Sequence, residues 1–176
     1  MIKILPLASV DGRIVEDLKE DVGNTFLASV DTGEPIVSLP EDIIDKGRGQ
    51  YDASRLVEFL LPYLDSIGGD KFLAVCDLDL FVEDMNYIFG IAQKGRQLCI
   101  ISLRRLDPAF YGKRSNYGKT KERAIKEAIH ELGHCYGMDH CGNERCVMSF
   151  SNHIDAVDRK EKFFCEKCRE KLKDRL

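Results

Sequence analysis

The sequence predicts a mixed α/β (α+β) domain, on three observations. Apolar stretches of strand length alternate with stretches of helical period in the first three quarters of the chain. Two strand candidates near residue 95 are joined by a short glycine-containing connection, which implies an antiparallel arm on the sheet. The last quarter loses periodicity and fills with cysteine and histidine. A length of 176 residues suits one domain, 1–176, and 44% hydrophobic with 32% charged residues permits a packed core and excludes a disordered chain.

Residues 2–8, Ile-Lys-Ile-Leu-Pro-Leu-Ala, read as a first strand. Val10, Ile14, Val15, Leu18 and Val22 follow at helical spacing, predicting a helix that closes near Gly23. Thr25–Val30 and Pro35–Leu39 are short strand candidates, and Leu56, Phe59, Leu60 and Leu64 mark a second helix ending at Gly68-Gly69. Residues 71–81 predict one buried strand running into an acidic loop. Tyr87–Ala92 and Gln97–Leu103 flank Gln93-Lys94-Gly95-Arg96, a connection that suits a hairpin. Thr120 is the expected N-cap of a third helix, with Ile125, Ile129 and Leu132 on its apolar stripe and Gly137 ending it. A last helix is expected from about Asp155.

The charge sum of −4 provides no general attraction to nucleic acid or anionic lipid. Lys113, Arg114, Lys119, Lys121 and Arg123 form a local basic cluster, read as solvated or as meeting a substrate carboxylate. Gly112–Thr120 imitates a phosphate-binding loop, but five residues instead of four separate its glycines. No apolar run is long enough to span a membrane. The first residues lack the pattern of an export signal. The expected setting is therefore cytoplasmic and the expected state a monomer, without nucleic-acid or membrane partners. In a reducing compartment the seven cysteines are better explained by metal than by disulfides.

His130-Glu131-Leu132-Gly133-His134 lies on the third predicted helix, where two imidazoles four residues apart share a face and can grip one ion. Gly137 and His140 extend the pattern to HExxHxxGxxH, which chance would produce about once in 10⁵ such chains. Gly137 can take a positive φ and return His140 to the ion. Three neutral imidazoles leave the fourth tetrahedral position of a catalytic zinc open for water. Glu131 is the expected general base, accepting the water's proton and passing it to a leaving amine.

Cys141 and Cys146, followed after eighteen residues by Cys165 and Cys168, suit a second, closed Cys₄ zinc site. A redox-active CxxC and a pair of disulfides are the alternatives. Cys76 and Cys99 fall in apolar strand patterns and are expected to be inert, while Cys135 stays ambiguous.

The stretch HELGHCYGMDHCGNERCVM resembles the metzincin zinc peptidases, and the added CxxxxC and CxxC single out the archaemetzincin family. The resemblance implies a twisted mixed sheet with an active-site helix and a small zinc-stapled C-terminal subdomain, here residues 1–137 and 138–176. It implies a zinc metallopeptidase carrying two zinc ions and acting on a peptide or protein substrate, with narrow or aminopeptidase-type specificity. The alternative is a catalytically inactive, zinc-containing peptide-binding protein. The resemblance also places Met148 in a turn beneath the zinc and makes Leu98–Leu103 the outer strand that receives an extended peptide. Where some relatives have a tyrosine after that turn this chain has Phe150, leaving Tyr111, Tyr117 and His153 as candidate oxyanion donors.

Overall fold

The computed structural model describes residues 1–8 and 10–176. Its main sheet has five strands: β1 (Ile2–Pro6), β2 (Val30–Thr32), β5 (Lys71–Cys76), β8 (Gly90–Ala92) and β9 (Leu98–Ser102), in the order β2-β1-β5-β9-β8. All neighbours pair in parallel except β8, which runs antiparallel to β9. A smaller sheet of β3 (Ile44–Asp45), β4 (Gln50–Asp52), β6 (Leu80–Val82) and β7 (Met85–Ile88) lies in the order β3-β4-β6-β7.

Alternation along the strands builds two cores. Ile2, Ile4, Leu73, Val75, Cys99 and Ile101 face helices α1 (Gly12–Phe26) and α3 (Tyr117–Cys135). Leu5, Phe72, Ala74, Cys76, Leu98 and Ile100 face α2 (Ala53–Ile67) and the small sheet. Covering both faces is what near-continuous apolar strands require.

Several expectations give way to tertiary structure. The first helix runs past Gly23 to Phe26, because Phe26 continues the buried stripe of Val15, Leu18 and Val22. Leu27, with φ of 50°, ends it, so the strand expected over Thr25–Val30 is displaced along the chain to Val30–Thr32. Pro35–Leu39 supplies one isolated bridge, Ile36 to Leu7. The predicted strand over 71–81 divides at Asp77–Asp79, sending Leu80–Val82 into the small sheet. Asp79 there takes the Arg105 guanidinium at 2.5 and 2.8 Å.

The hairpin turn forms, with Gly95 at φ of 72°, but the expected first arm Tyr87–Ala92 divides at Phe89, its start joining β7 in the small sheet and Gly90–Ala92 forming β8. The second arm, β9, is interior and fully buried between β5 and β8. The edge open to an extended peptide is Gly90–Ala92, not Leu98–Leu103. The unbroken apolar run Leu-Cys-Ile-Ile demands cover on both sides, whereas β8 is half-buried along its length.

Helix α3 starts earlier than expected. Asn116 caps it by accepting from the Lys119 N–H, and Thr120 instead donates its hydroxyl to the Asn116 carbonyl. The tail holds two helices in place of one, α4 (Ile154–Arg159) and α5 (Glu166–Lys173). The break turns Lys160 inward and leaves Cys165 at the head of α5.

Three of the five basic residues, Lys119, Lys121 and Arg123, hold α4 and α1 to α3, while Lys113 and Arg114 are exposed. Arg123 donates to Asp158 at 2.8 and 2.7 Å, Lys119 reaches the same carboxylate at 3.0 Å, and Lys121 reaches Asp17 at 3.3 Å. The Arg123 hydrogen bonds hold Asp158 down to about 2, below its ordinary 3.8. This contribution is complete above pH 3.8 and is lost as pH falls through about 2. Asp158→Asn should therefore be less stable than wild type at pH 7, by roughly 1.5–3 kcal/mol, and melt lower. In melts recorded from pH 5 to pH 2 that gap should close; a gap independent of pH would refute the assignment.

Candidate zinc centre and cleft

Helix α3 brings His130 and His134 to one face, and the chain reverses after it. Gly137 takes φ of 78°, while the Gly137 and Met138 N–H groups bond back to the carbonyls of His134 and Gly133. This is the glycine stop expected at Gly137, and it returns His140 to the other two imidazoles. The ligand atoms of the three lie within 4.8 Å of one another.

The hydrogen bonds decide which ring atoms face inward. His130 Nδ1 lies 2.8 Å from the Val147 carbonyl, and His134 Nδ1 lies 2.8 Å from the Met138 carbonyl. A carbonyl only accepts, so each Nδ1 carries the proton and each Nε2 keeps its lone pair. The His134 Nε2 then stands 3.2 Å from both His130 Nε2 and His140 Nε2. A tetrahedral zinc with Zn–N bonds of about 2.0–2.1 Å needs ligand separations of about 3.3 Å. Lone pairs so close repel one another unless a cation lies between them, and the residues fit zinc. Burial pushes all three histidines below their ordinary range, keeping them in the neutral form a metal requires.

Met148 is fully buried under this helix, its sulfur so close to Gly133 that a Cβ there would lie 2.5 Å from Sδ. Its carbonyl accepts from the Cys141 N–H at 2.9 Å, tying the turn to the loop that carries His140.

Glu131 points from the helix into a cleft of about 220 Å³, lined by Val82, Met85, Ile88, Phe89, Glu127 and Ser151 among others. Burial, and then the Glu127 charge, push its carboxyl well above the ordinary range. Gly90 on the edge strand is the residue that motif reasoning misses. A Cβ at Gly90 would meet Glu131 Cγ at 2.7 Å, Glu131 Oε1 at 2.8 Å and the Ile100 carbonyl at 2.9 Å. Only a glycine lets the carboxylate lie against the strand, and a lone glycine in a strand was the available signal. Gly90→Ala should keep its metal but melt lower, because the Ile100 backbone carbonyl must also give way, while kcat falls about 100-fold, the cost of a misplacement near 1 Å. Steady-state kinetics beside metal analysis tests this, and an unchanged kcat would overturn it.

The expected oxyanion donors are not brought to the cleft. The Tyr111 hydroxyl donates to the Arg105 carbonyl, Tyr117 donates to Asp17, and His153 caps α4. Tyr87 lines the cleft instead, its hydroxyl donating to the Asn152 carbonyl at 2.8 Å.

Cys141, Cys146, Cys165 and Cys168 form the second cluster, their sulfurs within 4.8 Å of one another. Cys141 Sγ and Cys165 Sγ are 3.8 Å apart, far beyond a disulfide bond and equal to the edge of a tetrahedron with Zn–S bonds of about 2.3 Å. Backbone N–H groups of Asn143 and Cys165 point at Cys141 Sγ and Cys146 Sγ. Burial opposes ionisation of Cys165, but hydrogen bonds from Cys168, Cys146 and Cys141 outweigh it and hold that thiol below its ordinary range. Cys76, Cys99 and Cys135 are buried elsewhere, with Cys76 pushed up to about 12 by burial.

Comparison with known proteins agrees with this geometry. Residues 11–174 match Peptidase family M54. The archaemetzincin of Pyrococcus furiosus is 40% identical, over 100% of this chain and 94% of that protein. The structure of a zinc-dependent peptidase from Methanocorpusculum labreanum superposes with a TM-score of 0.86 at 28% identity, covering 98% of this chain and all of that one. Archaemetzincin from Methanopyrus kandleri gives 0.84 at 32% identity, over 99% and 94% of the two chains. With full-length relatives on both counts, this chain belongs to peptidase family M54, the archaemetzincins, and is a zinc metallopeptidase.

Proposed function

We propose that the chain hydrolyses peptide bonds with Glu131 as general base, holding one zinc on His130, His134 and His140 and a second on Cys141, Cys146, Cys165 and Cys168. The observation that carries this reading is the convergence of imidazole lone pairs at 3.2 Å beside a buried glutamate. Zinc, when bound, acidifies a water toward a pKa of about 7 and polarises a carbonyl. The Glu131 carboxylate takes the proton of the attacking water at Oε1 and releases it to the leaving amine nitrogen. Its raised proton affinity suits a group that must do both near neutrality. The substrate backbone adds to the edge strand at Gly90–Ala92, which orients it through main-chain hydrogen bonds.

A narrow substrate range follows from the small cleft and from Tyr87, which reaches the Asn152 carbonyl across it. Residues 138–176 act as a zinc-stapled subdomain of one unit, which we propose works as a monomer. No helix among the described residues is long and apolar enough to cross a membrane. The test is a peptide-library digest read by mass spectrometry, with metal analysis of the same sample. Two zinc ions per chain and products that vanish on chelation are expected. Two ions without products would instead favour a peptide-binding role.

A further inference from the structure

The cleft beside the imidazoles has an end as well as walls. Val82, Met85, Ile88 and Phe89 supply an apolar side, and residues 150–152, which follow the Met148 turn, supply the other. Glu127 brings no free charge to it, because its carboxylate is buried and paired with the Lys160 ammonium at 2.9 Å. Tyr87 on β7 joins the two sides: its hydroxyl donates to the Asn152 carbonyl at 2.8 Å, between residues 65 positions apart in the chain. A side chain that enters this cleft meets a phenol lying across it.

That crossbar is held at both ends. At its root the Arg105 guanidinium lies 4.0 Å from the Tyr87 ring centroid and 4.5 Å from that of Phe110, and Asp79 grips the same guanidinium at 2.5 and 2.8 Å. Phe89 meets the ring edge to face, with centroids 5.6 Å apart. Swinging the ring aside would break the hydroxyl hydrogen bond and the cation–π contact together, so a substrate fits short of the bar instead of displacing it.

A peptide added to Gly90–Ala92 turns alternate side chains to opposite faces, and those on the cleft side project between these walls. The space there is about 220 Å³, shared with the reacting bond beside Glu131 and His140. For scale, benzene fills a closed apolar cavity of about 150 Å³. A branched aliphatic chain therefore fits before Tyr87, and a fused double ring does not.

We propose that Tyr87 is a specificity-determining residue that stops the cleft, so that the substrate side chain next to the scissile bond is aliphatic and no longer than leucine. The inference deepens the peptidase reading and rests on it.

Calorimetric binding to the zinc-loaded Glu131→Gln protein tests this without turnover. The probes are peptides that differ only at the residues flanking one central bond, carrying alanine, leucine, phenylalanine or tryptophan. Leucine should bind at least about tenfold tighter than tryptophan, as expected for misfit in an apolar pocket. Tyr87→Phe in that background should keep leucine first, because Arg105 and Phe89 still hold the ring. Tyr87→Ala should reverse the order in favour of the aromatic peptides and leave the alanine peptide unchanged. Tyr87 also packs against the core, so Tyr87→Leu, which keeps apolar bulk at the root, gives the same reading if the alanine variant does not fold. Tryptophan bound by the parent as tightly as leucine overturns the proposal. So does a shortened residue 87 that keeps the parent's order or weakens all four peptides equally, the result of a purely structural role. If the order reverses while the unsubstituted protein cleaves none of the peptides, the peptidase mechanism fails and the stop at Tyr87 stands.

Discussion

The Glu131→Ala protein is expected to keep both metals and its melting temperature while losing peptide hydrolysis by about 10²–10⁴-fold, the range for removing a general base. Glu131 touches neither metal cluster as a ligand in the arrangement proposed, and its backbone sits in the middle of α3, where alanine is a good helix former. The loss should therefore fall on kcat. Removing a buried, desolvated carboxylate without a dedicated cation also leaves no stranded partner, so stability should hold or rise slightly. Metal analysis, thermal melting and kinetics on one preparation separate these effects. Hydrolysis that survives within about a factor of ten would show that another group takes the proton.

Cys165→Ser should release one of the two zinc ions proposed above and lower the melting temperature. Structural zinc in small peptides contributes apparent binding energies of about 10–16 kcal/mol at neutral pH. Val147, Met148 and Val157 anchor the middle of the segment 141–168 in the core, so the loss should fall on the loop at Cys141 and the head of α5. The two helices of the tail are short, and Cys165 joins the head of α5 to the Cys141 loop through a sulfur contact of 3.8 Å. Because Cys141 follows His140 directly, the damage should spread. The catalytic ion should bind more weakly, and activity should fall with it. Zinc titration followed by calorimetry and melting would show this, whereas an unchanged melting curve would count against a structural ion.

Local patterns exposed much of the fold and most of the proposed site. The histidine and cysteine clusters were legible because a metal's geometry restricts spacing along a helix and around a turn, and both clusters assemble as spaced. The helical periods of α1, α2 and α3 were legible for the same kind of reason, since each buries one stripe. The archaemetzincin resemblance, read from those motifs, agrees with the comparison at full length. Boundaries were less visible. Phe26 extends α1 because a partner surface exists to bury it, and it stacks on Tyr136 with ring centroids 4.9 Å apart. Lys160 interrupts the tail because Glu127 waits inside. In each case the deciding partner lies more than a hundred or some thirty residues away, beyond any local window.

The order of strands was the largest item hidden from local reading. Both arms of the hairpin looked alike as apolar segments, and nothing within them states which one pairs with β5. Only assembly of the sheet makes β9 internal and leaves Gly90–Ala92 at the edge, beside the Glu131 that Gly90 accommodates.

By itself, then, the sequence determined the metal-binding chemistry, the helix that presents it and the turn at Gly137, because these depend on residue types a few positions apart. Tertiary structure decided which strand forms the open edge, which tyrosine reaches the cleft and which carboxylates line it. Those properties arise from contacts between distant segments, where burial leaves one neighbour's carbonyl, ammonium or missing side chain to fix what its partner can do.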